Sequence, residues 1–279
     1  MERFCDLHTH SVFSDGTYTP AQLLEEAEQR NLSAIALTDH NTVAGLPSFL
    51  SAARGREVEP VPGVEFSTDY NGTELHILAL YLREEYFGQV TALMDDYNRR
   101  KDQSNADLVS KLNEIGYRID YDKIKASTPK GQVNRALIAA ELLKFGYVES
   151  VQDAFKRLLS PKHGLYIPPR RHTPEEMIPI IHDLGAVSVL AHPYLNLKQE
   201  ALLPFLEQAK RRGLQGMEVY YSTYDEATTA LAVDTAAAFG LLPSGGSDFH
   251  GENKPDIRLG EGRGGLRVPA NWLEALKRQ

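Results

Sequence analysis

Short apolar runs alternate with longer amphipathic stretches along most of the chain. Ala34-Ile35-Ala36-Leu37-Thr38, Ala186-Val187-Ser188-Val189-Leu190-Ala191 and Gly216-Met217-Glu218-Val219-Tyr220-Tyr221 have the length and composition of strands buried in parallel sheets. Phe4-Cys5 opens the series, and Leu241-Leu242-Pro243-Ser244 closes it. Helix signals lie between them. Thr19-Pro20-Ala21-Gln22 supplies an N-cap, a proline at the first helical position and a capping box, with Leu23, Leu24 and Ala27 as the apolar face. Thr173-Pro174-Glu175-Glu176 repeats the cap and proline. Helix stops are expected near Gly55, Gly185, Gly213 and Gly240. Asn71-Gly72 between Val61–Ser67 and Glu74–Tyr81 signals a hairpin. Asn271–Leu276 reads as a closing helix.

About seven strands alternating with helices suit an α/β barrel better than an open sheet. From Glu84 to Ser160 the strand signal vanishes, and Asn105–Ile115 and Arg135–Phe145 have helical spacing. The expected organisation is a barrel domain from 1–83 and 161–279, with a mostly helical insertion over 84–160. Lys130-Gly131-Gln132 and Ser160-Pro161-Lys162-His163-Gly164 would be loops of the insertion.

Composition narrows the function. The chain has 279 residues, enough for a barrel-sized core, and a net charge of -8. That balance disfavours a wide grip on duplex nucleic acid. Bound cations could still reverse the charge locally for a small anionic substrate. Cys5 is the sole cysteine, so no internal disulfide can form, and a reducing, cytoplasmic setting is expected. Met1-Glu2-Arg3-Phe4 lacks the apolar run of a signal peptide. No stretch approaches the ~20 apolar residues of a membrane span. No Gly-x-Gly-x-x-Gly follows the first strand, which weakens a dinucleotide-binding reading.

Candidate chemistry gathers where strands should end. In Asp6-Leu7-His8-Thr9-His10 an extended backbone aims two imidazoles at one point, with Asp6 behind them. Asp248-Phe249-His250 repeats the spacing. Asp15, His40, Glu65, His76 and His192 complete a set of nine candidate metal ligands. Asp15 could instead be a turn former, and His40, His76 and His192 could be hydrogen-bonded core histidines. A shared site explains all nine at once, because barrels place their chemistry at the C-terminal ends of strands. His163, His172 and His182 read as structural or solvated.

The residues Asp6-Leu7-His8-Thr9-His10-Ser11, Ser14-Asp15-Gly16, Leu37-Thr38-Asp39-His40, Gly63-Val64-Glu65, His76, Leu190-Ala191-His192-Pro193 and Gly246-Ser247-Asp248-Phe249-His250-Gly251 resemble the PHP superfamily, named for polymerase and histidinol phosphatase domains. The resemblance spans nearly the whole chain. It implies a distorted (β/α)7 TIM-like barrel holding two or three divalent metals, manganese, zinc or iron. It also sorts the ligands: His8, His10, Glu65 and Asp248 for the first metal, Glu65, His76 and His192 for the second, Asp15, His40 and His250 for the third. Within the superfamily the chain looks most like the branch of ribonuclease AM and the 3′,5′-nucleotide bisphosphatases, through its insertion, Asn134-Arg135, Lys162–Pro168, Lys254-Pro255 and Leu259-Gly260. Leu137 stands where many relatives carry a histidine.

The expected chemistry is phosphoester hydrolysis, with a hydroxide shared by two metals attacking phosphorus in line. Asp248 would take the water's proton and His192 would serve the leaving oxygen. Arg135 and Lys162 would hold a second phosphate. The expected substrate is a nucleoside 3′,5′-bisphosphate or the 5′ end of a short single-stranded oligoribonucleotide. The alternatives are a histidinol-phosphate or other small phosphomonoester phosphatase and, from another class, a non-catalytic metal-binding accessory module.

Overall fold

A computed structural model describes residues 3–128 and 133–278. The loop expected at Lys130-Gly131-Gln132 lies outside the described residues. The chain forms β1 (Phe4–Asp6), α1 (Pro20–Gln29), β2 (Ala34–Leu37), α2 (Leu46–Ala52), β3 (Glu59–Tyr70), β4 (Thr73–Leu80) and α3 (Phe87–Glu114). Then come α4 (Tyr121–Ala126), α5 (Arg135–Lys144) and α6 (Val151–Ala154). Alternation returns with α7 (Pro174–Asp183), β5 (Val187–Leu190), α8 (Pro193–Asn196), α9 (Gln199–Arg211), β6 (Gly216–Tyr221), α10 (Glu226–Ala238) and β7 (Leu242–Gly246). A two-residue β8 (Val268–Pro269) and α11 (Trp272–Lys277) follow.

The capping chemistry read from the sequence is what starts the helices. Thr19 and Thr173 each accept a backbone N–H in a capping box, with Gln22 and Glu176 returning the bond. The glycine stops at Gly185, Gly213 and Gly240 all take positive φ. In the hairpin, Asn71 and Gly72 take φ 53° and 83°, as a tight turn between twisted strands requires. The register pairs Ser67 with His76 across it.

All eight strands form one sheet in the order β7-β6-β5-β4-β3-β2-β1-β8. Neighbours are parallel except around β4 and at β8. The sheet then curls nearly closed. Leu7 N–H donates to the Gly245 carbonyl at 3.1 Å, Asp248 N–H to His8 at 2.9 Å and His10 N–H to Phe249 at 2.9 Å. The fold is therefore the expected distorted α/β barrel, with β1–β7 as its seven anticipated strands. β8 was not anticipated: two residues cannot show alternation, and one is Pro269. Gly246 lets β7 approach this closely, because a Cβ there would overlap the Cβ and backbone nitrogen of His8.

The barrel interior below the site is packed with Cys5, Leu7, Ala34, Ala36, Val61, Leu78, Leu80, Val187, Val189 and Val268. The chain divides into two compact units, 1–91 with 171–279, and 92–170. The first contains the whole sheet. The second is helical, with a core of its own that includes Leu108, Leu112, Ile138, Leu142, Leu158 and Tyr166. Tyr166 in that core carries the unit beyond the boundary expected at 160. Among the described residues no helix is long and apolar enough to cross a membrane.

Candidate metal centre

Regular β1 ends at Asp6, so His8 and His10 lie just past the strand rather than on it. Extended geometry still turns both the same way. Thr9 between them forms a bridge to Phe249, which lies between Asp248 and His250. The two i, i+2 pairs thus face each other across the barrel seam. His40, just past β2, pairs similarly with Glu65 in the middle of β3. His192 closes β5 in a left-handed conformation, φ 31°, and Asp248 is also left-handed, φ 55°. Non-glycine residues in that region cost about 1–3 kcal/mol and are held there by their surroundings.

Glu65 is the hub. Its Oε2 lies 3.2 Å from His8 Nε2, 3.2 Å from His10 Nε2 and 2.9 Å from His40 Nδ1. Its Oε1 lies 2.7 Å from His76 Nδ1 and 3.2 Å from His192 Nε2. Asp248 Oδ1 lies 3.2 Å from His10 Nε2 and 3.6 Å from His8 Nε2. Asp15, the most exposed of the set, lies 3.2 Å from His250 Nε2 and 3.8 Å from His40 Nε2. All nine residues picked from the sequence come together. Three groups of potential ligand atoms emerge: His10, Asp15, His40 and His250; His8, His10 and Glu65; His40, Glu65 and His76. Compared with the sets implied by resemblance, His10 and His40 are each shared between two groups.

The fit to metal is tested by what these atoms lack. His8 Nε2, His10 Nε2, His40 Nδ1 and Glu65 Oε2 are buried with no hydrogen-bond partner. Orphaned buried polar atoms are costly, and here four of them converge. Imidazole nitrogens and carboxylate oxygens are the donors that manganese, zinc and iron accept. The nitrogens facing away from the hub are backed by other groups. His8 Nδ1 lies 3.0 Å from Glu218, His76 Nε2 3.3 Å from Glu74, His192 Nδ1 2.9 Å from Asn196 and His250 Nδ1 2.8 Å from the Asp248 carbonyl. Such backing fixes which nitrogen keeps a lone pair for a metal.

The electrostatics match. Burial alone would raise Glu65, but the charges of His40, His76 and His8, with His10 close by, hold it well below the usual carboxylate range. Asp248 follows the same pattern: burial opposes, and His8, His10 and His250 prevail. Burial pushes His76 down, yet Glu65 and Glu74 raise it to about 10. At Asp15 burial is likewise outweighed, by His250, His40 and His10, so all three carboxylates stay ionised at neutral pH.

Several residues that received no role from the sequence support the centre: Glu218, Asn196, Tyr221, Glu74, Asp39 and Lys254. Tyr221 OH donates to Asp248 Oδ2 at 2.8 Å, and Lys254 Nζ lies 2.6 Å from the same oxygen. Asp39 accepts from Ser11 N–H, Ser11 Oγ and Ser14 Oγ, fixing the loop after β1. An acid inside the apolar run of β6 was the available signal for Glu218. Asp6, expected behind the imidazoles, supports backbone instead: it accepts N–H bonds from His8, Ser247 and Gly260. Arg135 and Lys162 belong to the helical unit. Arg135 donates to the Leu159 carbonyl and stacks over Tyr166 at 4.4 Å, while Lys162 is exposed. His182 packs near Ser188, His172 near Glu176, and His163 is exposed.

Comparison with known proteins follows the same lines. A model of the PHP domain matches residues 6–168. A 5′-3′ exoribonuclease of Haemophilus influenzae is 30% identical over 90% of this chain and 91% of its own. A phosphoribosyl 1,2-cyclic phosphate 1,2-diphosphodiesterase of Eggerthella lenta is 30% identical over 95% of this chain and 99% of its own. A 3′,5′-nucleoside bisphosphate phosphatase of Chromobacterium violaceum is 27% identical over 90% of each. Among solved structures, a protein assigned as a metal-dependent phosphoesterase from Bifidobacterium adolescentis superposes with a TM-score of 0.80, at 27% identity, covering 98% of this chain and 95% of that one.

Proposed function

The chain belongs to the PHP domain family, and from that premise we propose that this metal-dependent phosphoesterase hydrolyses a nucleoside 3′,5′-bisphosphate or the 5′ end of a short oligoribonucleotide. The observation that carries the catalytic reading is the convergence of six imidazoles and three carboxylates on four orphaned buried atoms. Relatives named for exoribonuclease and nucleoside bisphosphatase activity support the substrate.

In this reading two or three divalent ions are held by His8, His10, Asp15, His40, Glu65, His76, His192, Asp248 and His250. Bound there, they supply Lewis acidity to the phosphoryl oxygens and lower the pKa of water. The chain's own groups do the rest. Hydrolysis joins a water oxygen to phosphorus and breaks the ester P–O bond; the water sheds a proton and the leaving oxygen gains one. Asp248 Oδ2 is occupied by Tyr221 and Lys254, so Oδ1 is the oxygen that binds a cation or accepts that proton. His192 Nδ1 is committed to Asn196, leaving Nε2 to ligate or to serve the leaving oxygen, not both. Arg135 and Lys162 are proposed contacts for a second phosphate.

The test is phosphate release by metal-stripped protein reloaded with manganese, on adenosine 3′,5′-bisphosphate, AMP and histidinol phosphate in parallel, with a ribose 1,2-cyclic phosphate followed by chromatography of its products, since ring opening alone frees no phosphate. Release from the bisphosphate, abolished in Asp248→Asn, is the expected result. In the same panel Arg135→Ala should raise KM for the bisphosphate more than for AMP. Turnover of the cyclic ester or histidinol phosphate in preference to both nucleotides would overturn the substrate assignment.

A further inference from the structure

Glu218 sits in the middle of β6, between Met217 and Val219, with no solvent exposure. An apolar side chain would suit that position better, and a buried carboxylate persists only if its oxygens are satisfied. Both are. Oε1 lies 3.0 Å from His8 Nδ1. Oε2 accepts the backbone N–H of His192 at 2.7 Å. One partner lies just past β1, which meets β7 across the barrel seam, and the other just past β5, the neighbour of β6 on its other side. One side chain thus reaches two candidate ligands that are far apart in sequence.

We propose that Glu218 is a positioning residue for the metal centre, setting the tautomer and ring orientation of His8 while fastening His192 in its left-handed conformation. This rests on the reading that His8 and His192 hold metal. The chemistry at His8 is specific. A ring that donates Nδ1–H to a carboxylate presents its lone pair at Nε2, and Nε2 is one of the orphaned atoms beside Glu65. At His192 the left-handed backbone turns its N–H toward Oε2, while Nδ1 is taken by Asn196. The other backing groups do less. Asn196 and the Asp248 carbonyl are neutral, and Glu74 is 39% exposed. Among the described residues, Glu218 is the one fully buried carboxylate that backs the ring of a candidate histidine without facing the hub itself.

Glu218→Gln keeps the shape but offers one acceptor to two donors, so either His8 or His192 loses its partner. Zinc affinity, measured by competition with a chromophoric chelator, should fall about 10–100-fold. In zinc-loaded wild-type protein the His8 Nδ1–H proton should appear by NMR as a strongly deshielded, slowly exchanging resonance, and it should shift or vanish in the variant. A purely structural role would lower the melting temperature and leave both readouts unchanged in the folded fraction; that result overturns the proposal. Wild-type protein that takes up neither zinc, manganese nor iron would instead refute the metal reading itself. If the Gln variant does not fold, Glu218→Asp, charged but too short to span both partners, gives the same comparison.

Discussion

At the residue scale, the centre is a proton store as much as a metal cradle. His8 is lifted well above its ordinary value: burial works against this, and the charges of Glu218, Glu65 and Asp248 outweigh it. His76 rises to about 10. Without metal, both rings therefore carry an extra proton at neutral pH. A dication needs the lone pair that this proton occupies, so loading must expel it. The sign follows: affinity should climb as pH rises from 6 toward 9 and level off as the free rings lose their protons unaided. Titrating metal-stripped protein with manganese in a weakly buffered cell should acidify the solution. Uptake without proton release would show that these two rings are not ligands, or are already neutral.

At the scale of elements, the seam between β1 and β7 decides whether the two i, i+2 pairs meet. Gly246→Ala places a methyl group against His8, and the neighbouring hydrogen bonds from Leu7 and Asp248 leave little room to yield. Overpacking of this kind costs about 1–3 kcal/mol. The melting temperature should drop by several degrees and metal affinity should fall with it. A variant as stable and as tightly metallated as wild type would mean the seam can open at little cost. Elements also explain what could be read beforehand. β1–β7 and the capped helices were legible because each carries its own local signal: an apolar run, a Thr-Pro cap, an Asn-Gly turn. Most of the ligands were legible because they stand just past where those runs stop, whereas Glu65 and His76 lie inside β3 and β4. Glu218, Asn196 and Tyr221 were not, since their roles depend on which strands become neighbours once the sheet closes. His8 and His10 show the same limit, as they keep strand-like alternation just beyond the last regular residue of β1.

At the scale of the molecule, a chain of net charge -8 is proposed to bind an anion. The conflict is resolved locally if dications outweigh the three carboxylates of the centre, while the remaining surface repels a polyanion. Such a protein should hold a nucleic acid by its end and not along its length. Salt dependence measures this directly. Each phosphate of a single strand neutralised by the protein contributes a slope of about -0.7 in log affinity against log salt. Gripping one or two phosphates predicts a shallow slope of roughly -0.7 to -1.4. That slope should be the same for a trinucleotide as for a twentymer carrying the same 5′ end. KM measured across a salt series for both lengths checks it. A slope that steepens with length would reveal an extended basic track, and the end-gripping assignment would then give way to one in which the chain follows the strand.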